Sequence, residues 1–343
     1  MGRLLETNNN ITFVDVKTTI LYVLVSGSDD FYAEQLFVSI TSLRQNSPGA
    51  AVSVLTDTLT HESLPSRGKM GARLLDAPDK WIVVPLDASL TKEHRSRILK
   101  TGMRQYVEGD FLFIDTDTLI VRPLDGIDAI PHELAFCLDH HCLLEDNPEF
   151  KCHRDECRQL GKDLSRNDFY FNSGVILSRD SAPVRAFFAQ WQKNYLQGRS
   201  KGIKTDQQSL AQTLGSVSMP VGQLDGIWNC QLPYGVRYMG GAIVFHYFFT
   251  YAKEPHSYLF LLNDPSVLSR IRNSEELPSD VAAVIQDFFK GFPDVTLLIG
   301  KRDLDFRNTR RYKDLRRRYV PGKFSFLEFL LKVRARLPFS AKR

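Results

Sequence analysis

The 343-residue chain lacks any run of about 18 apolar residues, so its sequence offers no transmembrane helix. Its first residues, "MGRLLETNNNITFVDVKTT", are polar and lack the apolar stretch of a secretory signal. Gly2 follows Met1, but Glu6 stands where an N-myristoylation motif needs Ser or Thr. The expectation is a cytoplasmic protein. Cysteine is scarce: five residues, an odd number, which argues against a disulfide framework. Four of them, Cys137, Cys142, Cys152 and Cys157, fall near His140, His141 and His153. Their spacings are wider than those of a zinc knuckle, so reduced thiols in a Cys-rich loop are expected ahead of a zinc site. There is no internal repeat and no low-complexity segment.

What is present is an ordinary globular composition, 43% hydrophobic, with length for one large domain or two modest ones. Charge is unevenly placed. Residues 301–343 hold 15 Lys and Arg against 4 Asp and Glu, whereas the rest holds 29 against 36. An acidic body with a basic tail points the tail at an anionic surface.

Strand-like and helix-like patterns alternate. Apolar runs at Thr19–Tyr32, Ala50–Asp57 and Trp81–Asp87 read as strands, and Leu36, Ile40 and Leu43 mark a helix between the first two. Arg95–Val107 reads as a helix leading into "DFLFIDTDTLIVRP" (Asp110–Pro123). "ELAFCLDH", "FYFNSGVILSRD" and "GAIVFHYFF" read as further strands, and Pro183–Leu196 and Thr205–Leu214 as helices. The alternation implies an α/β fold with a mixed, largely parallel sheet flanked by helices. Ligands collect at the carboxyl ends of such strands, and Asp30, Asp57, Asp87, Asp115 and Asp117 all fall there.

Asp115 and Asp117 are the focus. Carboxylates at i and i+2 leave a strand end on one side, and hard divalent cations take oxygen ligands and bridge to diphosphates. The same stretch also fits the start of the haloacid-dehalogenase phosphatases, whose first Asp is a nucleophile. That family carries the motif on its first strand and needs a later acidic pair, which this sequence does not supply convincingly.

Six segments in order carry a sharper likeness: "SDDFYAEQLFVSITSL", "SRILKT", "FIDTDTLIV", "FNSGVIL", "TDQQSLAQT" and "FHYFFTYAKEP". Together they resemble glycosyltransferase family 8, retaining sugar transferases of the GT-A, Rossmann-like type that include glycogenin and bacterial lipopolysaccharide galactosyl- and glucosyltransferases. The resemblance implies a GT-A catalytic domain over residues 18–268 and a basic helical C-terminal extension over 269–343. It implies that Val25, Ser26, Gly27, Ser28 and Asp30 hold uracil and ribose, and that Tyr32 stacks on the base. It makes Asp115, Asp117 and His246 the ligands of Mn²⁺ or Mg²⁺, with Thr116 between the acids. Arg97, Lys100 and Lys253 fall where the family meets the donor phosphates, and Arg104 continues the Arg97–Lys100 face. Asn172, Ser173 and Gly174 match a step against the donor sugar, and Asp206 and Gln207 lie beside the anomeric carbon. Trp228–Gln231 matches a segment on the acceptor side.

The implied activity is transfer of glucose or galactose from a UDP-sugar onto a bacterial surface glycan or lipid-linked oligosaccharide. A catalytically inactive nucleotide-sugar-binding protein is the non-enzyme alternative. Beyond about Leu268 the resemblance fades. "FSFLEFLLKVRARLPF" has its own helix signals: Ser325 and Glu328 as a capping box, an apolar stripe from Phe326 to Leu337, and flanking Lys332, Arg334 and Arg336. A basic amphipathic helix of this kind fits the inner face of an anionic membrane. Without a base-stacking motif, nucleic acid is not an expected partner.

Overall fold

The computed structural model describes residues 16–165, 168–249, 260–293, 306 and 309–312. The first strand, β1 (Thr19–Leu24), is followed by α1 (Tyr32–Asn46) and β2 (Val52–Asp57). Asp57 ends β2 and caps α2 (Thr58–Ser63), its side chain accepting from the Thr60 amide at 2.7 Å. Then come α3 (Gly68–Leu75), β3 (Lys80–Val84) and α4 (Lys92–Gly102), the last capped by Thr91. β4 (Phe111–Ile114), β5 (Thr118–Ile120), β6 (Leu134–Leu138), α5 (Phe150–Gln159) and β7 (Phe171–Ser178) follow. Ser181 caps α6 (Ala182–Ser200), and Asp206 opens α7 (Gln207–Leu214). Short strands β8 (Gly222–Gln223), β9 (Cys230–Gln231) and β10 (Val244–His246) precede α8 (Pro265–Asn273) and α9 (Ser279–Gln286).

The main sheet runs β3-β2-β1-β4-β7-β6-β8. β3, β2, β1 and β4 are parallel, and β6 is parallel to β8. Only β7 runs against its neighbours β4 and β6. Every residue of β2, β4, β6 and β7 is buried, the pattern of strands covered on both faces. Period two sorts them. Leu112 and Ile114 face one core with Ile20, Tyr22, Val52 and Val54, whereas Phe111 and Phe113 face the other with Phe187, Phe188 and Trp191 of α6. This is the mixed, largely parallel α/β architecture expected from the alternation of elements.

A second sheet, β5-β10-β9, was not foreseen. Its strands are two or three residues long, too short to leave a periodicity, and their pairing depends on distant segments. It matters because it sets the site. The chain divides into residues 1–297 and 298–343. Within the first unit, α8 and α9 bury Val267, Leu268, Ile271, Val281, Val284 and Ile285 and pack on α1 and α3. Among the described residues no helix is long and apolar enough to cross a membrane. The amphipathic stretch Phe324–Phe339 lies outside the described residues.

Candidate active site

β4 stops where Asp115 turns away, its amide still donating to the Gly174 carbonyl of β7 at 2.8 Å. Thr118 Oγ1 donates to the Asp115 carbonyl at 2.8 Å and closes the turn, so β5 starts at once. β5 pairs antiparallel with β10, and the register sets His246 opposite Thr118. The result is His246 Nε2 at 3.2 Å from Asp117 Oδ1. The Tyr247 amide donates to the Asp117 carbonyl at 3.2 Å, and the Phe249 amide donates to Asp117 Oδ2 at 2.8 Å. Burial works against the Asp117 carboxylate, but His246 and the Phe249 amide outweigh it and hold its pKa below the usual value.

The His246 ring is fixed on two further sides. Phe248, at a left-handed φ of 53°, stacks on it with centroids 3.9 Å apart. Its Nδ1 lies 2.9 Å from Asn229 Oδ1. The tautomer follows from the next links. The Gly174 amide donates to Asn172 Oδ1 at 2.9 Å, so that oxygen must also accept from Asn229 Nδ2, at 2.9 Å. Asn229 therefore turns its oxygen to His246 and Nδ1 carries a proton, which leaves Nε2 as the ring atom facing Asp117. Gly174 is needed for room as well: a Cβ there would sit 2.5 Å from His246 Cε1.

Nε2 and the Asp117 carboxylate can share a cation as ligands. The ligand atoms of Asp115, Asp117 and His246 all lie within 4.8 Å of one another. Two carboxylates and one imidazole are a donor set for Mn²⁺ or a similar divalent ion. Burial raises the Asp115 pKa, Lys100 opposes that only in part, and Asp117 adds to it. The residues fit the metal that the resemblance implies.

α4 brings two cations to this cluster. Arg97 and Lys100, one turn apart, share a face. Lys100 Nζ donates to both Asp115 oxygens at 3.0 Å, while Arg97 Nε lies 3.0 Å from Asp206 Oδ1. Asp206 Oδ2 accepts from Ser173 Oγ at 2.8 Å and sits 3.8 Å from Lys100 Nζ. Against burial, Arg97, Lys100 and Ser173 push the Asp206 pKa down to about 2. Gln207, next to it, is half-buried at the start of α7, and Thr116 is buried between the two acids.

The loop after β1 forms a third part. Asp30 is buried and accepts from the Gly27 amide at 2.8 Å, from Lys92 Nζ at 2.7 Å and from Ser26 Oγ. The Ser26 amide donates to Thr60 Oγ1 at 3.1 Å. Val25 is buried, Ser28 is exposed, and Tyr32 is 39% exposed at the mouth. Sequence reasoning missed what holds this loop. Arg67 donates to the Gly27 carbonyl, and Arg272 of α8 donates to the Ser28 carbonyl at 2.9 Å and to Glu34 Oε1 at 2.6 Å. No local signal links Arg272 to a loop more than 240 positions earlier.

Two expectations are corrected, and a third, reduced thiols in the Cys-rich loop, is borne out. Arg104 does not continue the Arg97–Lys100 face. α4 ends at Gly102, a 3₁₀ turn follows, and Arg104 is fully buried with both Nη atoms donating to the Gly109 carbonyl at 2.8 Å. Asn229 and Gln231 are not on an acceptor surface: both are fully buried hydrogen-bonding residues. The cysteines near residue 140 do not converge with the histidines. Cys137 and Cys157 are buried thiols held protonated by burial, and no sulfur joins either group of converging ligands. Lys253 lies outside the described residues.

No protein-family model and no curated protein matches the chain. Solved structures similar to it include the galactosyltransferase LgtC in complex with donor and acceptor sugar analogues. It is 15% identical, over 74% of this chain and 95% of that one, with a TM-score of 0.48. Mouse xyloside xylosyltransferase 1 is 13% identical over 67% of this chain and 97% of its own, with a TM-score of 0.45. The glycosyltransferase GlyE of Streptococcus pneumoniae TIGR4 is 14% identical over 82% of this chain and 67% of its own, with a TM-score of 0.45.

Proposed function

We propose that the protein is a metal-dependent retaining glycosyltransferase. It moves a hexose, glucose or galactose, from a UDP-sugar onto a bacterial surface glycan or lipid-linked oligosaccharide. One observation carries the reading: Asp115, Asp117 and His246 converge, and the Arg97–Asp206–Lys100 group sits directly beside them. The donor's leaving group is a diphosphate, which needs positive charge. Its sugar carbon becomes oxocarbenium-like, which needs negative charge. The site offers both within a few ångströms.

A divalent cation held by Asp115, Asp117 and His246 supplies charge neutralisation at the diphosphate. Arg97 and Lys100 stabilise the charge that grows as the bond from anomeric carbon to phosphate oxygen breaks. Asp206 stays ionised at every physiological pH and faces the developing positive carbon. The acceptor hydroxyl attacks on the face the diphosphate leaves, and the departing phosphate oxygen takes its proton. Ser173 holds Asp206 in place, and the Asn172 amide is held by Asp139 and Asn229. The loop from Val25 to Asp30, with Tyr32, receives the uridine.

The test is Mn²⁺-dependent hydrolysis across a panel of UDP-sugars without acceptor. One or two donors are expected to be cleaved, and D115N/D117N is expected to be inactive. Undiminished cleavage in that double variant overturns the assignment. Release of phosphate from a generic aryl phosphate, uninhibited by UDP, would favour the phosphatase reading instead.

A further inference from the structure

A second group of ligand-type side chains adjoins the machinery just described, touching it through Asn172. We propose that Asp139, His140 and His153 form a separate binding site for a borderline transition-metal ion such as Zn²⁺. The three come from the carboxyl end of β6, the turn after it, and the first turn of α5. Their ligand atoms also lie within 4.8 Å of one another, and all three residues are more than nine-tenths buried.

Both imidazoles aim Nε2 at the same oxygen. His153 Nε2 is 3.4 Å and His140 Nε2 is 3.7 Å from Asp139 Oδ2. Ligands at about 2.0–2.1 Å from a tetrahedral Zn²⁺ lie roughly 3.3–3.4 Å from each other. The His153 separation matches an edge of such a tetrahedron, and the His140 separation is about 0.3 Å longer. They do not match hydrogen bonds, and neither Nε2 has a hydrogen-bond partner. Leaving two buried ring nitrogens unsatisfied is costly, and a shared ion removes that cost. Glu149 Oε2, 3.9 Å from His153 Nε2 on the half-open side, offers a fourth position.

The rings are also held in these directions. His140 stacks on Tyr234 with centroids 3.5 Å apart, and His153 stacks on Tyr170 at 4.2 Å. His140 and His141 both adopt a left-handed φ of 56°, a strained backbone that turns the first ring inward. Gln231 clamps the turn, accepting from the His140 amide at 3.1 Å and donating to the Leu138 carbonyl at 2.8 Å. The other Asp139 oxygen accepts from Asn172 Nδ2 at 3.1 Å. A liganded Asp139 is thus joined through Asn172 and Asn229 to His246, which makes the second ion a positioning element for the first cluster.

The full chain, stripped with chelator and reloaded with Co²⁺, tests this by metal stoichiometry and by the visible spectrum. Wild type is expected to bind two equivalents, and D115N/D117N to keep one. H140Q/H153Q is expected to lose that one and keep the other. Zn²⁺ should raise the melting temperature of D115N/D117N, and should not do so once H140Q/H153Q is added. If D115N/D117N binds no Co²⁺, or H140Q/H153Q still binds two, the proposal falls. The first of these measurements needs no histidine variant, so poor folding of H140Q/H153Q leaves a decisive result. If wild type itself binds a single equivalent and D115N/D117N keeps it, this site stands and the other is refuted.

Discussion

At the scale of single residues, Asn229 decides which His246 nitrogen is free. Its side chain is fixed by Asn172, and Asn172 by a backbone amide that can only donate. Replacing it with Leu frees His246 to take the wrong tautomer. Outer-sphere partners of this kind typically change metal affinity by about 10–100-fold. N229L should weaken Mn²⁺ binding within that range, measured by titration followed by electron paramagnetic resonance, with Arg97 and Asp206 still paired. Asp206 gives a pH-dependent outcome. Its folded pKa, about 2, lies below the ordinary 3.8, so its contribution is complete above the unfolded value. It is lost as pH falls through the window from about 4 to about 2, and amounts to about 2 kcal/mol. Urea unfolding of wild type and D206N should show a steeper acid loss in wild type across that window. Parallel curves would mean that Arg97 and Lys100 do not hold the carboxylate.

At the scale of elements, α4 shows how a helix can be read correctly and its end misread. The period of 3.6 places Arg97 and Lys100 on one face, and they are there. It also places Arg104 on that face, but the helix tightens after Gly102 and turns Arg104 into the core against Phe111, 4.1 Å from the ring centroid. R104M should cost about 2–3 kcal/mol of stability, from lost charge-assisted hydrogen bonds and the cation–π contact, by denaturant unfolding. UDP-sugar hydrolysis per folded molecule should stay as in wild type, whereas R97M should lose it. The central strands were legible because full burial writes an unbroken apolar run. β5 and β9 were not, since two or three residues carry no period, and β10 was legible as a strand in "GAIVFHYFF" but its pairing was not. Yet their register brings His246 to Asp117. The metal set could therefore be assembled from sequence only through family resemblance, and Asn229, Gln231, Arg67 and Arg272, which hold the site through distant contacts, left no local trace.

At the scale of the whole molecule, charge is the property the sequence states most plainly. Residues 301–343 carry 15 basic against 4 acidic residues, while the remainder carries 29 against 36. Attraction to an anionic bilayer is worth about 1 kcal/mol for each Lys or Arg near the surface. Residues 322–343 alone hold six basic residues and one acidic one, alternating with an apolar stripe. Removing them should lower sedimentation with vesicles containing anionic lipid by more than it lowers sedimentation with neutral vesicles, where only the apolar stripe is lost. Because the Debye length shrinks to about 3 Å at 1 M salt, the charge-dependent part of full-length binding should fade over that range, leaving only the apolar part. Hydrolysis of the UDP-sugar without acceptor should not change, since every residue proposed to meet the donor lies between 25 and 253. Transfer to an acceptor embedded in vesicles should fall with binding. If the truncated chain binds as before and stays salt-sensitive, residues 301–321, which keep nine basic against three acidic residues, carry the attraction instead of the amphipathic stretch.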